Sequence, residues 1–357
     1  MRIDIARQKR RIKILAWVLG IAIILALAFT IAQRIERKSD AAPEGAGQAL
    51  SRKTREEADA ALNESDPYEN NDEAEIASLY YNGQGYVYNE NLTTLLIIGV
   101  DDPELVEYDT ARNTAQADLL LLAVFDKTDK TCTILQLNRD TMSDVPTLDK
   151  DGNYVGLVNE QLALAHTYGN GLEKSCENTV YAVSNLLYGI GIDNYFSLTM
   201  DAVPILNDLV GGVTVTIEDD FTGVDDTLVK GETVTLTAEN VEHFVRARSS
   251  MQDDKTNLNR MKRQRTYMVG LVSALKKAIN EKEGFVLEAY NAIDDSLVTD
   301  CTVNQLSDYA DRFSDYTMNE IQTTEGKAEK GEKFMEFYVD EEALKDLVVK
   351  TFYTPVE

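Results

Sequence analysis

Histidine and cysteine are both rare: the 357-residue chain has two of the first and three of the second. Neither histidine stands in a nucleophile–base arrangement, so acyl-transfer chemistry of the Ser-His-Asp or Cys-His type has no support. A P-loop, a zinc-ligand spacing and a Rossmann glycine fingerprint are missing too, which removes the common nucleotide and structural-zinc readings. Positive charge is scarce. Against 61 acidic residues stand 35 basic ones, for a formal net charge of -26, so a broad basic face for nucleic acid is excluded and any anionic ligand must meet a local cluster. Hydrophobic residues make up 44%, enough to bury a core.

Charge is also absent from Ile14 to Ala32, nineteen residues long, close to the roughly 20 that cross a bilayer as a helix. A signal peptide is the rival, but no A-x-A-like cleavage site follows before Gln33-Arg34. Arg2, Arg7, Lys9, Arg10, Arg11 and Lys13 precede the run, opposed only by Asp4, whereas the chain after it mixes both signs. The positive-inside rule then makes residues 1–13 a cytoplasmic tail, 14–33 a single transmembrane helix, and everything beyond extracytoplasmic. Residues 34–77 are polar, acidic and poor in aromatics and read as a stalk, with a short helix possible over Arg52 to Leu62. The globular domain is expected over 78–357.

An outer compartment permits disulfides. Cys132 lies in a strand pattern and Cys176 near the start of a helix pattern, which makes a bridge between them the expected pairing.

Structure starts at YYNGQGYVY, where Asn82-Gly83 signals a hairpin. TLLIIGV (94–100), DLLLLAVFD (118–126) and TCTILQLN (131–138) are apolar runs without alternation, expected in strands covered on both faces. The tight DKTDK connection makes the last two antiparallel neighbours. Helical patterns follow over 173–188, 201–210 and 257–279, with strands at DNYFSLT and VTVTI. The alternation predicts an α/β sandwich with a mixed sheet.

The stretch from Val245 to Arg265 concentrates seven Lys or Arg residues. Arg260, Arg263 and Gln264 fall at i, i+3 and i+4 of the predicted helix, on one face. Arg246 and Arg248 point the same way if extended. Guanidinium groups suit bidentate contact with phosphate oxygens; the plainer reading is that they neutralise the protein's own carboxylates, such as Asp253 and Asp254. Asp101-Asp102, Asp118 and Arg139-Asp140 sit at the ends of the apolar strands, where ligand sites of open α/β sheets gather. Such carboxylates could hold Mg²⁺, although each taken singly also reads as a turn or cap residue. A cationic clamp with carboxylates for a hard cation is what phosphoryl transfer needs.

In order, TLLIIGVDD, QADLLLLAVFDKTDKTCTILQLNRDT, NYFSLTMDAVPILNDLVGGVTVTI, LTAENVEHFVRAR and NLNRMKRQR resemble the extracytoplasmic LytR-CpsA-Psr family of bacteria, with core motifs over 93–277 and a similar closing segment within an extension at 278–357. The resemblance implies an α/β/α sandwich and a phosphotransferase that moves a glycopolymer from a polyprenyl-pyrophosphate carrier onto peptidoglycan at the outer face of the membrane. It implies Mg²⁺ (or Mn²⁺) on Asp101 and Asp118. It also places Arg139, Arg246, Arg248, Arg260 and Gln264 around the pyrophosphate; in the mechanism read from this, Arg139, Arg246 and Arg248 act at the reacting phosphate and Asp140 or another nearby carboxylate accepts the hydroxyl proton. Where the family usually has Arg-Ser-Asp this chain has Gln116-Ala117-Asp118, and Arg112 is the candidate substitute. Hydrolysis of the same lipid head group, and a non-enzymatic lipid-binding module, are the alternatives.

Overall fold

A computed structural model of the chain describes residues 55–63, 77–102, 105–247, 257–282, 285–301, 305 and 316–356. In chain order the elements are α1 (Arg55–Leu62), β1 (Leu79–Tyr81), β2 (Gln84–Tyr88), β3 (Leu92–Val100), β4 (Ala117–Asp126), β5 (Thr131–Leu137), β6 (Met142–Leu148) and β7 (Tyr154–Gln161). A 3₁₀ segment (Leu162–Thr167) leads to α2 (Glu173–Leu186), β8 (Asn194–Thr199), α3 (Ala202–Leu209), β9 (Thr214–Thr216), β10 (Thr233–Thr235), α4 (Ala238–Arg246), α5 (Leu258–Glu281) and α6 (Phe285–Ile293). Strands β11 (Leu297–Thr299), β12 (Thr317–Met318), β13 (Gln322–Thr323), β14 (Gly326–Lys330) and β15 (Met335–Val339) precede α7 (Glu341–Phe352) and β16 (Tyr353–Pro355).

These elements fall into two compact units. One, here the sheet unit, comprises Gly47–Gly99, Val106–Phe196 and Met318–Glu357; the other, the helical unit, includes Val100–Leu105 and Ser197–Thr317.

The sheet unit is built on the apolar runs. β4 and β5 pair antiparallel from Leu120↔Leu137 to Asp126↔Thr131, with β13 joined parallel to β5 at Gln322↔Leu135, and β3 and β8 continue the sheet on the other side of β4. The sheet is therefore mixed. Leu120 to Val124 are each no more than 3% exposed, so the unbroken run in β4 reflects cover on both faces rather than one solvated side. Asn82 and Gly83 both take positive φ between β1 and β2, the conformation that a two-residue hairpin turn requires.

Part of the expected stalk belongs to this unit. Residues 55–63 form α1 and its cap, Leu62 is fully buried, the Tyr353 hydroxyl donates to Asp59 at 2.7 Å, and the Tyr80 N–H donates to Asn63 at 2.8 Å. The acidic composition hid a single apolar anchor and two polar ones. The expected transmembrane helix at 14–33 lies outside the described residues; among those described, no helix is long and apolar enough to cross a membrane.

In the helical unit, α3, α4 and α5 close over a core of Val213, Val215, Ile217, Phe221, Val241, Phe244 and Tyr267. Thr237 and Asn240 make a reciprocal capping box at the start of α4, satisfying two of the backbone N–H groups a helix start leaves open. Gly211 and Gly212, both at positive φ, end α3. On α5 the buried stripe runs through Met261 and Tyr267, while Leu258 and Val272 are 47% and 46% exposed.

Candidate active site

In the sheet unit the strand register assembles a charged cluster. β4 and β5 pair Leu120 with Leu137; continued by two residues, the same register sets Asp118 across from Arg139. The turn after β5 is tight, with the Thr141 N–H donating to the Asn138 carbonyl at 3.0 Å and the Asp140 N–H to the Asn138 side chain at 3.1 Å. Arg139 then lies against three side chains. Nη1 meets the Asp118 carboxylate, Nη2 donates to Gln116 Oε1 at 2.5 Å, and Nε lies 3.3 Å from Asp140 Oδ1. The three charged side chains are 6%, 12% and 8% exposed. Charges so far from water need partners to offset their desolvation, and here each carboxylate finds the same guanidinium.

Arg112 belongs to the same unit. Its Nη2 pairs with Glu160 Oε2 at 3.2 Å and its guanidinium lies 4.8 Å over the Tyr168 ring. Burial, then the Glu160 charge, pushes the Tyr168 hydroxyl above its ordinary range. The expectation that Arg112 replaces an arginine at position 116 thus meets a competing partner in Glu160. The loop that carries Arg112 is pinned by Asn113, whose Nδ2 reaches the His166 and Gly169 carbonyls and the Ser175 hydroxyl, each at 3.2 Å.

The helical unit carries the remaining candidates. Asp101 and Asp102 follow β3 and are half-buried, the Asp102 carbonyl accepting from the Met200 N–H at 3.2 Å. Arg246 ends α4, where the helix dipole favours a cation; it lies 3.5 Å from Glu242, and both side chains are partly solvated. Arg260, in the first turn of α5, is 2% exposed, and Gln264 is half-buried. Arg248, Asp253 and Asp254 lie outside the described residues.

Arg263 follows the plainer reading. Its Nε donates to the Phe244 carbonyl at 2.8 Å, Nη2 donates to the Ala247 carbonyl and Nη1 pairs with Asp219. The last carbonyls of a helix have no partner within it, so Arg263 caps α4 and fixes where Arg246 emerges.

The divalent cation implied by the resemblance is compatible with the sheet-unit donors. Within the Arg139 cluster two carboxylates face one guanidinium, and a carboxylate has lone pairs for both a guanidinium and a cation. Among the described residues no group of three or more His, Cys, Asp or Glu side chains is arranged to hold a metal. Of the two expected metal ligands, Asp118 lies in this cluster and Asp101 follows β3; Mg²⁺ usually keeps several waters and binds through one or two carboxylates plus substrate phosphates.

The expected Cys132–Cys176 bridge is overturned: all three cysteines are buried and none is in a disulfide. Cys132 lies opposite Phe125, near the far end of the β4–β5 ladder. Cys176 Sγ instead sits 3.8 Å from His166 Nε2, and the other nitrogen of that ring is 3.1 Å from the Ala115 carbonyl, just ahead of β4. The length of β4 separates the two sites, roughly 30 Å at about 3.3 Å per residue, whereas a disulfide needs Cα atoms within about 7 Å. His166 is 1% exposed, an interior polar group. His243 pairs with Asp225 at 2.8 Å.

A family model described as the LytR_cpsA_psr family matches residues 51–351. The chain is 26% identical over 242 residues to the polyisoprenyl-teichoic acid–peptidoglycan teichoic acid transferase TagU of Enterococcus faecalis, covering 66% of this chain and 72% of that one. It is 23% identical over 259 residues to TagU of Bacillus anthracis, covering 72% and 77%. Among solved structures, protein gbs0355 of Streptococcus agalactiae superposes with a TM-score of 0.57 at 19% identity, over 73% of this chain and 88% of that one. TagT bound to LI-WTA superposes with a TM-score of 0.53 at 18% identity, over 73% and 90%. These likenesses give the fold: α/β with a mixed central sheet.

Proposed function

The chain belongs to the LytR_cpsA_psr family, and from that premise we propose that it is a membrane-anchored transferase that moves a glycopolymer from a polyprenyl-pyrophosphate carrier onto peptidoglycan. Relatives named as teichoic acid–peptidoglycan transferases support an enzyme acting on wall glycopolymers. The uncharged run at 14–32 supports a single span with the domain outside.

The observation that carries the reading is the buried Arg139 between Asp118 and Asp140. In phosphoryl transfer the protein mainly positions groups and stabilises charge. A hydroxyl of the acceptor glycan attacks the phosphorus nearest the polymer; a new P–O bond forms, the bridging P–O bond breaks, and polyprenyl phosphate leaves. Arg139, with Arg246, Arg248, Arg260, Gln264 and, in a lesser role, Arg112, meets the pyrophosphate charge. Asp140 accepts the hydroxyl proton. Asp101 and Asp118 are assigned to Mg²⁺ (or Mn²⁺), which when bound offsets charge on the phosphate oxygens. The α/β/α layering belongs to the same proposal.

The test is product analysis. The full chain in detergent is mixed with a short polyprenyl-pyrophosphoryl saccharide, peptidoglycan fragments and Mg²⁺, and products are read by mass spectrometry. A phosphodiester-linked adduct supports the reading; free phosphosaccharide alone shows hydrolysis, and bound but intact lipid across several donors shows a binding module.

A further inference from the structure

Gln161 closes β7 with 9% of its surface exposed, and nothing in its sequence context marks it. Its Nε2 donates to the Met335 carbonyl of β15 at 2.6 Å and lies 3.3 Å from Asp140 Oδ1. The same Oδ1 is 3.3 Å from Arg139 Nε. The Asp140 carboxylate is thus held between a guanidinium and an amide. Its backbone is fixed by the same neighbours: the Phe337 N–H donates to the Asp140 carbonyl at 2.9 Å, Thr141 bridges Phe337 in parallel register, and Met142 of β6 pairs with Gln161 of β7. β6, β7 and β15 therefore converge on one carboxylate.

An amide suits this place because it donates without adding charge. Among the described residues the charged partner at Asp140 is Arg139, whose guanidinium also meets Asp118. Glu160, adjacent on β7, is turned to Arg112, and Glu336 on β15 accepts from the Tyr338 hydroxyl at 2.6 Å. A carboxylate at position 161 would put a like charge against Asp140 and favour a shared proton.

We propose that Gln161 is a positioning residue that keeps Asp140 turned toward Arg139 and ties the C-terminal hairpin β14–β15 to the chemistry. The inference rests on the reading of Asp140 as proton acceptor. Two variants of the full chain test it, Gln161→Leu, which removes the donor, and Gln161→Glu, which keeps the shape and adds charge. At saturating donor Gln161→Leu lowers kcat about 10-fold with KM within about twofold, as misplacement near a reacting centre does. Gln161→Glu lowers kcat as well, because a like charge replaces the donor at Asp140. Wild-type kcat in both variants would overturn the proposal.

A second readout does not need turnover. Gln161→Glu melts below wild type by roughly 3 °C near pH 7, the gap widens as pH rises from 5 to 8, and Asp140→Asn closes it. A gap that survives Asp140→Asn overturns the inference. If the wild-type chain transfers nothing, the transferase reading fails while the melting series still decides whether Gln161 faces the Asp140 charge.

Discussion

Arg139 Nη2 donates to Gln116 Oε1 across 2.5 Å, at the position where the family resemblance implies an arginine. The amide accepts from the guanidinium, where a second guanidinium would face it as a like charge. Relative to an arginine at 116, Gln116 leaves one fewer positive charge in the Arg139 cluster.

Restoring that charge with Gln116→Arg is expected to raise the Mg²⁺ concentration for half-maximal turnover several-fold, since a nearby cation weakens carboxylate–metal attraction. A Mg²⁺ titration of both proteins checks it. An unchanged midpoint would separate the cation from the Arg139 cluster.

Arg139→Met leaves two buried carboxylates without their guanidinium and is expected to destabilise by about 3–5 kcal/mol. Adding Asp118→Asn recovers part of that loss. Urea unfolding of the single and double variants reads both effects, and strictly additive losses would argue that the two side chains do not interact.

Arg246 and Arg263 should behave oppositely. Arg246 makes a solvated i,i+4 contact with Glu242, and such pairs contribute at most about 0.5 kcal/mol, so Arg246→Ala should fold normally and bind the lipid donor more weakly. Arg263→Ala strips the α4 cap and leaves Asp219 unpaired, so its melting temperature should fall by several degrees. Calorimetry with donor titration distinguishes them.

The buried thiols predict slow labelling. Burial pushes Cys132 and Cys301 up to about 12, so the native protein at pH 8 offers almost no thiolate there. Ellman titration should count three thiols in denaturant without reductant and react negligibly before unfolding. One thiol in denaturant would restore the Cys132–Cys176 bridge.

Asp225 predicts an acid limit for the helical unit. Burial raises its carboxyl, but hydrogen bonds from Thr227 and His243 outweigh this and leave it below the ordinary range. A depressed folded value contributes stability above the unfolded pKa, about 3.9, and loses it as pH falls through the folded value. The melting gap between wild type and Asp225→Asn should shrink below about pH 4; a constant gap would contradict the assignment.

Much of this was legible because backbone and side-chain signals agreed. Asn82-Gly83 requires a hairpin, Gly211-Gly212 stops α3, and the DKTDK link permits only antiparallel neighbours; the buried strands followed from their lack of alternation. Asp118 and Arg139 were marked by their places at strand ends. Gln161 was not, because its role arises from hydrogen bonds to β15, far away in sequence. The β6–β7 hairpin was missed for a related reason: on β7, Val155, Leu157 and Val158 are 68%, 51% and 36% exposed, so no alternation separates a core face. Arg263 shares helical spacing with Arg260 and Gln264, but spacing does not reveal the α4 carbonyls that claim it.

The most direct measurement is single-turnover transfer by Arg139→Lys at saturating donor, with wild-type melting as the control for folding. Lysine keeps the charge but loses the planar fork that reaches Asp118, Gln116 and Asp140 together. If the cluster stabilises the transferring phosphoryl group, the rate falls about 10²- to 10³-fold, as when one preorganised donor is removed. Transfer at the wild-type rate would contradict the account and move the chemistry away from Arg139.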